Sequence, residues 1–378
     1  MDIAAKTHTK TALLGGMSPA GFMRRHWHKK PLLVRQAWPG VQPPLSRKNL
    51  FALAEDDEVE SRLIRRKGRD WTVRKGPLQR RSLPPLLQPD WTLLVSGLDL
   101  HVDAAHQMLK RFDFIPHARL DDLMVSWASP GGGVGPHLDS YDVFLIQVQG
   151  QRRWQIGRAA DTSFVPDAPL KLLRHFEAED EWVLDPGDML YLPPMWAHDG
   201  VAVGGDCMTC SAGFRAPGEE ELARDLLQRL ADEEGGDVQR LYRDPRQPAT
   251  AAPGAVPQAM LDFASKAVQR RLADPRWLQR ALGEALTEPK PQVWFPHTGA
   301  RAGRNGVRLS ARSRMLHDAH HVFINGEAFE AAGRDASLIR QLADTRCLDA
   351  ANLARLSPQA RALLGQWLAQ GWLQAQDD

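Results

Sequence analysis

The sequence predicts a mixed α and β chain in three parts: an antiparallel β sandwich or barrel, a helical region, and a small domain of one hairpin and three short helices. Three observations carry this. Before about Pro217 the chain reads as short β-branched or aromatic runs separated by Gly, Pro and Asp. After Pro217 the apolar residues recur at helical spacing. Near the end, Asn325-Gly326 sits inside VFINGEAF, a strong hairpin signal, with three short helical patterns behind it.

The β part contains Leu123 to Ser129, Val143 to Gln149, Arg153 to Ile156, Met189 to Leu192 and Cys207 to Phe214, as expected of an antiparallel sandwich or barrel. In the helical part, Leu222, Leu226, Leu227 and Leu230 share one face, and Gly235-Gly236 stops that helix. A second helix is expected from Gln258 to about Ala273. A third runs to Leu286, opened by Asp274 as N-cap and Pro275 at the first helical position. Two proline-rich breaks, Arg243 to Pro257 and Glu288 to Pro296, interrupt regular structure. These signals divide the chain at 1–216, 217–292 and 293–378. In the last part Leu338, Ile339 and Leu342 mark one helix, Asn352, Leu353 and Leu356 the next, and Ser357-Pro358 caps the third. Hairpin plus three short helices reads as a winged helix.

The 378 residues allow two or three domains. With 43% hydrophobic and 25% charged residues, the balance is that of a folded soluble protein, not of a disordered, collagen-like or polytopic membrane chain. Lys and Arg number 48 against 46 Asp and Glu, so bulk charge predicts no pull toward nucleic acid or anionic membrane. No apolar run is long enough for a membrane span, and the apolar stretch near the N-terminus is too short for a signal peptide. Three cysteines make no disulfide framework, and a reducing cytoplasm is the expected home. The winged helix is not read as a DNA reader. From Ala336 onward four Arg are balanced by four Asp, and phosphate neutralisation dominates DNA affinity.

The informative segment is SPGGGVGPHLDSYDVFLIQVQGQRRWQI, from Ser129 to Ile156. His137 and Asp139 are two residues apart, so on a strand both side chains face one way and can chelate one metal. The Gly-rich run before them permits close backbone approach. His198 follows in DPGDMLYLPPMWAHDG. In a double-stranded β-helix such a distal histidine returns beside the first strand's ligands. Two histidines and one carboxylate make a facial triad that leaves positions on Fe(II) for a chelating cosubstrate and dioxygen. A keto-acid cosubstrate needs a cation for its distal carboxylate. Arg152 and Arg153 follow the Gln149-Gly150-Gln151 turn with opposite strand parity, so one points in and the other out.

With these motifs in hand, the sequence resembles the bacterial JmjC-type ribosomal oxygenases, cupin-fold arginine hydroxylases dependent on Fe(II) and 2-oxoglutarate. The likeness runs through Asp121 to Gly157, through DPGDMLYLPPMWAHDG, Ser211 to Pro217 and Phe22 to Trp38, and weakens beyond Pro217. The resemblance implies a double-stranded β-helix (the cupin/JmjC jelly roll), a C-terminal helical dimerisation region and a winged helix. It implies His137, Asp139 and His198 as iron ligands, Arg152 as the 2-oxoglutarate clamp, and a homodimer. The implied substrate is an arginine of large-subunit ribosomal protein L-sixteen, hydroxylated at its β-carbon, with O2 as second cosubstrate.

An arginine pocket needs acceptors for the guanidinium. Asp121 and Asp122, ahead of the metal loop, and Tyr141 and Asp142, after it, are the candidates, with Asp142 the weakest because of its parity. Cys207 and Cys210 are three apart and face opposite ways on a strand, so they are not a metal pair; Thr209 and Ser211 share a face and are candidates to hydrogen-bond 2-oxoglutarate. Ser61 to Arg81 holds nine basic residues and one acid, Asp70. A solvated basic face is the default there. RNA contact sits uneasily with a substrate that is itself basic. Two rivals stay open: a cupin dioxygenase acting on a small molecule, and a non-enzymatic cupin sensor with winged-helix output.

Overall fold

In the computed structural model, residues 7–232, 241–297 and 305–376 are described. The chain forms two compact units, Met1–Ala216 with Lys290–Phe295, and Pro217–Pro289 with Pro296–Asp378.

The first unit opens with α1 (Pro19–Arg25), whose N-cap Ser18 accepts from Gly21 N–H and whose first residue is proline. Then come β1 (Leu32–Val34), α2 (Arg47–Leu53), β2 (Ser61–Lys67), β3 (Asp70–Lys75), β4 (Trp91–Val95) and α3 (Asp103–Leu109). The barrel proper is β5 (Leu120–Ala128), β6 (Tyr141–Arg158), β7 (Asp180–Leu184), β8 (Met189–Leu192) and β9 (Trp196–Arg215). They form one sheet in the order β1-β8-β6-β9-β5-β4-β2-β3, with β7 also on β6. All the pairings are antiparallel.

β6 and β9 run antiparallel over almost their whole length. The register breaks between Gln147 and Gln151, where β6 turns a corner. One half of each strand therefore folds back over the other. Tyr141 lies opposite Arg215 at one end of this ladder and Arg158 opposite Trp196 at the other, and Met195 N–H, donating to Asp139 O, brings the approach to β9 beside the approach to β6 at the open end. Phe144, Ile146, Leu123, Val125, Trp127, Met208, Cys210 and Phe214 face outward and are covered by Phe22, Leu50, Phe51, Met108 and Phe112. Val143, Leu145, Trp154, Ile156, Leu184, Leu190 and Leu192 pack together on the other face. Each such buried side chain contributes about 1.5–3 kcal/mol.

In the second unit, α4 (Glu219–Asp232) and α5 (Gln258–Leu272) precede α6 (Pro275–Thr287), where Asp274 caps Arg276 N–H. The Gly235-Gly236 stop lies outside the described residues. Next come β10 (Gly306–Leu309), β11 (Met315–His317), β12 (His321–Ile324), β13 (Glu327–Glu330), α7 (Asp335–Thr345), β14 (Cys347–Asp349), α8 (Ala350–Arg355), α9 (Pro358–Ala369) and β15 (Leu373–Gln376). The β12–β13 turn has positive φ at both Asn325 and Gly326, the geometry that Asn-Gly favours. A boundary at 292 does not survive. α6 packs on β11, β12 and β13, and Thr287 Oγ1 accepts from Gly326 N–H at 3.1 Å. A Cβ on Gly283 would lie 2.4 Å from the Phe323 ring. The apolar face of α6 thus completes the winged-helix core, while the proline-rich segment after it, 290–295, belongs to the first unit. Among the described residues no helix is long and apolar enough to cross a membrane.

Candidate metal centre

The loop from Ser129 to Pro136 continues β5 alongside β9. Gly131 N–H donates to Ala202 O at 3.0 Å and Ala202 N–H to Gly132 O at 2.9 Å. His137 and His198 then form an isolated antiparallel bridge. This approach needs glycine: a Cβ on Gly133 would lie 2.6 Å from the Gly200 carbonyl oxygen, and a Cβ on Gly200 would strike the Trp154 ring at 2.5 Å. Further along, the turn before β8 is pinned by Asp188. Its carboxylate accepts from Gln36 N–H, Asp185 N–H and Arg35.

His137, Asp139 and His198 converge, one ligand atom of each lying within 4.8 Å of the others. Both Nε2 atoms are 3.6 Å from the same Asp139 oxygen. His137 Nδ1 lies 2.9 Å from Gly135 O, and His198 Nδ1 lies 2.9 Å from Trp196 O. A carbonyl can only accept, so each Nδ1 carries the proton and each Nε2 turns its lone pair inward, the second-shell arrangement of metal-binding histidines. Burial, then the His137 charge, pushes the His198 pKa down to about 4, keeping that ring neutral at pH 7. Burial works to lower the His137 pKa, but the hydrogen bond and charge of Asp139 outweigh it and raise it. For Asp139 burial is outweighed by His137, His198 and Arg62, which hold the carboxyl well below the usual range. Met195 N–H donates to Asp139 O at 2.8 Å and fixes its main chain. The donor set fits a divalent metal.

Deeper, toward the corner of β6, Arg152 is 4% exposed, while Arg153 takes the opposite side of the strand and is half-buried. The Nε and Nη2 atoms of Arg152 are buried with no hydrogen-bond partner. Its guanidinium sits 5.8 Å from the Trp154 ring centroid, and Trp154 is 5.9 Å from the His198 ring. A buried guanidinium with two unmet donors calls for an anionic acceptor, and a carboxylate fits it. Thr209 donates to Gln147 Oε1 at 2.8 Å, and Gln147 Nε2 donates to Gln149 O and Gly150 O. Ser211 lies two residues along the same face, between Leu145 and Met124.

At the open end the structure brings Asp121, Asp122 and Tyr141 together and leaves Asp142 out. Asp142 shares parity with Phe144 and turns to the outer face. There it is fully buried, accepting from Tyr191 Oη at 2.5 Å and Arg119 Nη2 at 2.9 Å, with His28 Nε2 at 2.7 Å. It ties the N-terminal segment to the barrel and cannot reach a substrate at the mouth. Asp121 and Asp122 already hold cations. Asp121 pairs with Arg215 at 2.7 Å and Lys290 at 3.1 Å, and Asp122 with Lys290 at 3.2 Å, while also accepting from Gly97 N–H. Burial raises the Asp122 pKa against the Lys290 charge. Asp99, behind them, is pushed up to about 7 by burial and by Asp122. The Tyr141 ring lies beside Gly213, its Cδ1 3.7 Å from where a Cβ there would sit.

Sequence reasoning missed Gln147, Trp154 and Lys290. Gln147 was detectable as a polar residue at an inward position of an otherwise apolar strand. Lys290 is 168 residues from Asp122 and carries no local signal. Cys207 packs with Ala128 and Ala202 while Cys210 lies in the outer core, so the two thiols do face apart.

A bent β-helix barrel holding two histidines and one carboxylate at its mouth defines a JmjC-type oxygenase. Residues 107–222 match the JmjC domain family and residues 270–374 the ROXA-like winged helix family. The chain is 33% identical over 371 residues to the ribosomal protein uL16 3-hydroxylase of Escherichia coli (strain K12), covering 93% of this chain and 97% of that one. It is 38% identical over 210 residues to a probable ribosomal oxygenase of Haemophilus influenzae, covering 54% of this chain and 52% of the relative. The structure of YcfD, a ribosomal oxygenase from Escherichia coli in complex with cobalt and 2-oxoglutarate, superposes with a TM-score of 0.79 at 29% identity, covering 93% of this chain and 96% of the other. The chain belongs to the ribosomal oxygenase family.

Proposed function

We propose that this chain is a protein hydroxylase that uses Fe(II), 2-oxoglutarate and O2 to place one hydroxyl on the β-carbon of an arginine in large-subunit ribosomal protein uL16. The observation that carries it is the pairing of the inward-facing His137–Asp139–His198 donor set with the buried, unmet guanidinium of Arg152. Bound between these residues, the metal and 2-oxoglutarate supply the oxidising chemistry that inserts one oxygen atom into a C–H bond, with succinate and carbon dioxide as co-products. The chain's own residues do the rest. Arg152 receives the distal carboxylate of 2-oxoglutarate, with Thr209 and Ser211 on the same inner face. Trp154 fills the space between that cation and His198 and keeps water from it. Asp121, Asp122 and Tyr141 form the rim that orients the incoming arginine.

The Escherichia coli relative that spans almost the whole of this chain is named for its action on ribosomal protein uL16, which favours this reading over a small-molecule dioxygenase or a sensor. The neutral tail also weighs against a DNA-directed output. In this reading the enzyme works in the cytoplasm as a homodimer. Met260, Leu261, Val268 and Leu272 of α5 are left exposed along one helix, and a second copy across a two-fold axis is the simplest cover. The test is mass spectrometry of uL16 from cells with and without this gene. One added oxygen on an arginine β-carbon, absent in the deletion, supports the reading. An unmodified protein in both, or oxygen on another residue type, defeats it.

A further inference from the structure

The β2–β3 ribbon is a strongly charged feature that the oxygenase reading does not use. Between Ser61 and Arg81 nine Lys or Arg stand against a single acid, while the whole chain nets only +2, so the positive charge is segregated here. Arg65, Lys67, Arg69, Arg74, Lys75, Arg80 and Arg81 are exposed. Among the described residues, Arg66 alone of the nine forms an ion pair, with Asp90 at 2.8 Å. The acidic run from Glu55 to Glu60 lies at the base of the ribbon, beside Lys75, and away from its tip at Lys67–Asp70.

Edge strands often carry a lysine to block aggregation. One or two charges on β3 would suffice for that. Here the cations also occupy β2 and the turn, and most are arginines, whose planar forks suit phosphate. Arg65, Lys67 and Arg74 share one face of the ribbon, while half-buried Trp71 lies on the other with Arg62, Arg66 and Lys75, the Arg66 guanidinium 5.7 Å from its ring. An exposed face of arginines and lysines with almost no paired acids is what a phosphate backbone requires.

Position gives the ribbon a relation to the site. β3 is the free edge of the sheet. A Cβ on Gly135 would lie 3.0 Å from the Trp71 ring, so the ribbon packs on the loop that delivers His137 two residues later. Whatever binds the ribbon is held next to the barrel mouth.

We infer that the β2–β3 ribbon binds the phosphate backbone of RNA, so that the substrate arginine is presented on a ribonucleoprotein and not by a free protein. The second half rests on the proposed function; the RNA surface itself does not. A ribosomal protein is basic, so it would be repelled by this ribbon if alone. Bound to its RNA, protein and enzyme face the same polyanion, which bridges them.

The test uses the full-length protein without 2-oxoglutarate, so that binding is read without turnover. The probe is a fluorescent RNA hairpin, titrated at salt between about 50 and 200 mM. The wild type should bind with a steep salt dependence. The combined variant Arg65→Glu, Lys67→Glu, Arg69→Glu and Arg74→Glu should lose at least about 100-fold in affinity and most of the salt slope. Arg65→Lys, Arg69→Lys and Arg74→Lys together should keep affinity within about threefold, because charge is retained. The Glu variant should still hydroxylate a free arginine peptide at no less than the wild-type rate, which shows that it folds. Wild-type RNA affinity in the Glu variant overturns the inference, as does tighter binding of the wild type to polyglutamate than to RNA, which would point to an acidic protein partner. RNA binding that depends on these four residues, in a protein that fails to hydroxylate arginine, upholds the surface and sinks the oxygenase assignment instead.

Discussion

The main chains of His137 and His198 are locked together, each N–H donating to the other's carbonyl at 3.1 Å. Residues from opposite ends of the barrel sequence are thereby fixed with their rings 4.2 Å apart. Neither ring depends on Asp139 for its place.

The first prediction follows. Asp139→Ala removes the anionic ligand and leaves the bridge intact, and the Asp139 side chain is 42% exposed, so no core is disturbed. Metal affinity should fall by at least about 100-fold and hydroxylation should be lost, with thermal unfolding little changed. Wild-type metal affinity and turnover in this variant would show that the triad is misassigned.

The second prediction separates the two neighbouring arginines. Arg152→Ala deletes two charge-assisted donors to a buried carboxylate, each worth about 1.5–3 kcal/mol, so the KM for 2-oxoglutarate should rise by at least about 100-fold. Arg153→Ala, on the other side of β6, should leave it unaltered. The reverse pattern would mean that the cosubstrate enters from the other face.

This pair shows how far the sequence could be read. Strand period two separates Arg152 from Arg153 and Cys207 from Cys210, and joins His137 to Asp139, without any structure. The same rule gives Asp142 the parity of Phe144. It could not say which parity faces the mouth, because β6 is buried on both sides and has no polar face to mark solvent. The covering layer comes from residues such as Phe22 and Phe112, far away in the chain. Lys290 escaped for a related reason: a single lysine in a proline-rich stretch looks like any linker residue, and only the fold returns it to Asp121 and Asp122. The α6 boundary was misplaced because prolines mark where helices end, not where cores do.

The third prediction concerns pH. Asp99 has its pKa raised from 3.8 to about 7, chiefly by burial. A raised carboxyl pKa means the folded state prefers the protonated form. Below the unfolded value both states are neutral and no cost arises. As pH climbs through that value toward about 7, the unfolded chain ionises more readily and stability is lost, by on the order of 4 kcal/mol in all. Asp99→Asn keeps the acceptor for Leu123 N–H, which Asp99 Oδ1 bonds at 2.8 Å. Chemical denaturation of the pair should therefore show the variant gaining on the wild type between about pH 4 and pH 8. A constant difference across that range would mean that Asp99 does not titrate there.

The fourth prediction tests assembly. Light scattering at micromolar concentration should give a dimer. Leu261→Glu with Val268→Glu, two exposed positions of α5, should shift it toward monomer without unfolding either unit. A wild-type monomer defeats the dimer, and a dimeric variant moves the interface elsewhere.

The return of Lys290–Phe295 to the first unit has a consequence for inheritance. The barrel is not a contiguous stretch of gene. A recombination joining it at Ala216 to some other C-terminal half would deliver Asp121 and Asp122 without the ammonium that sits between them. Such a hybrid would leave Asp121 with Arg215 as its cation and Asp122 without the ammonium it faces. The rim of the barrel is thus completed by a residue encoded beyond the helices that follow it.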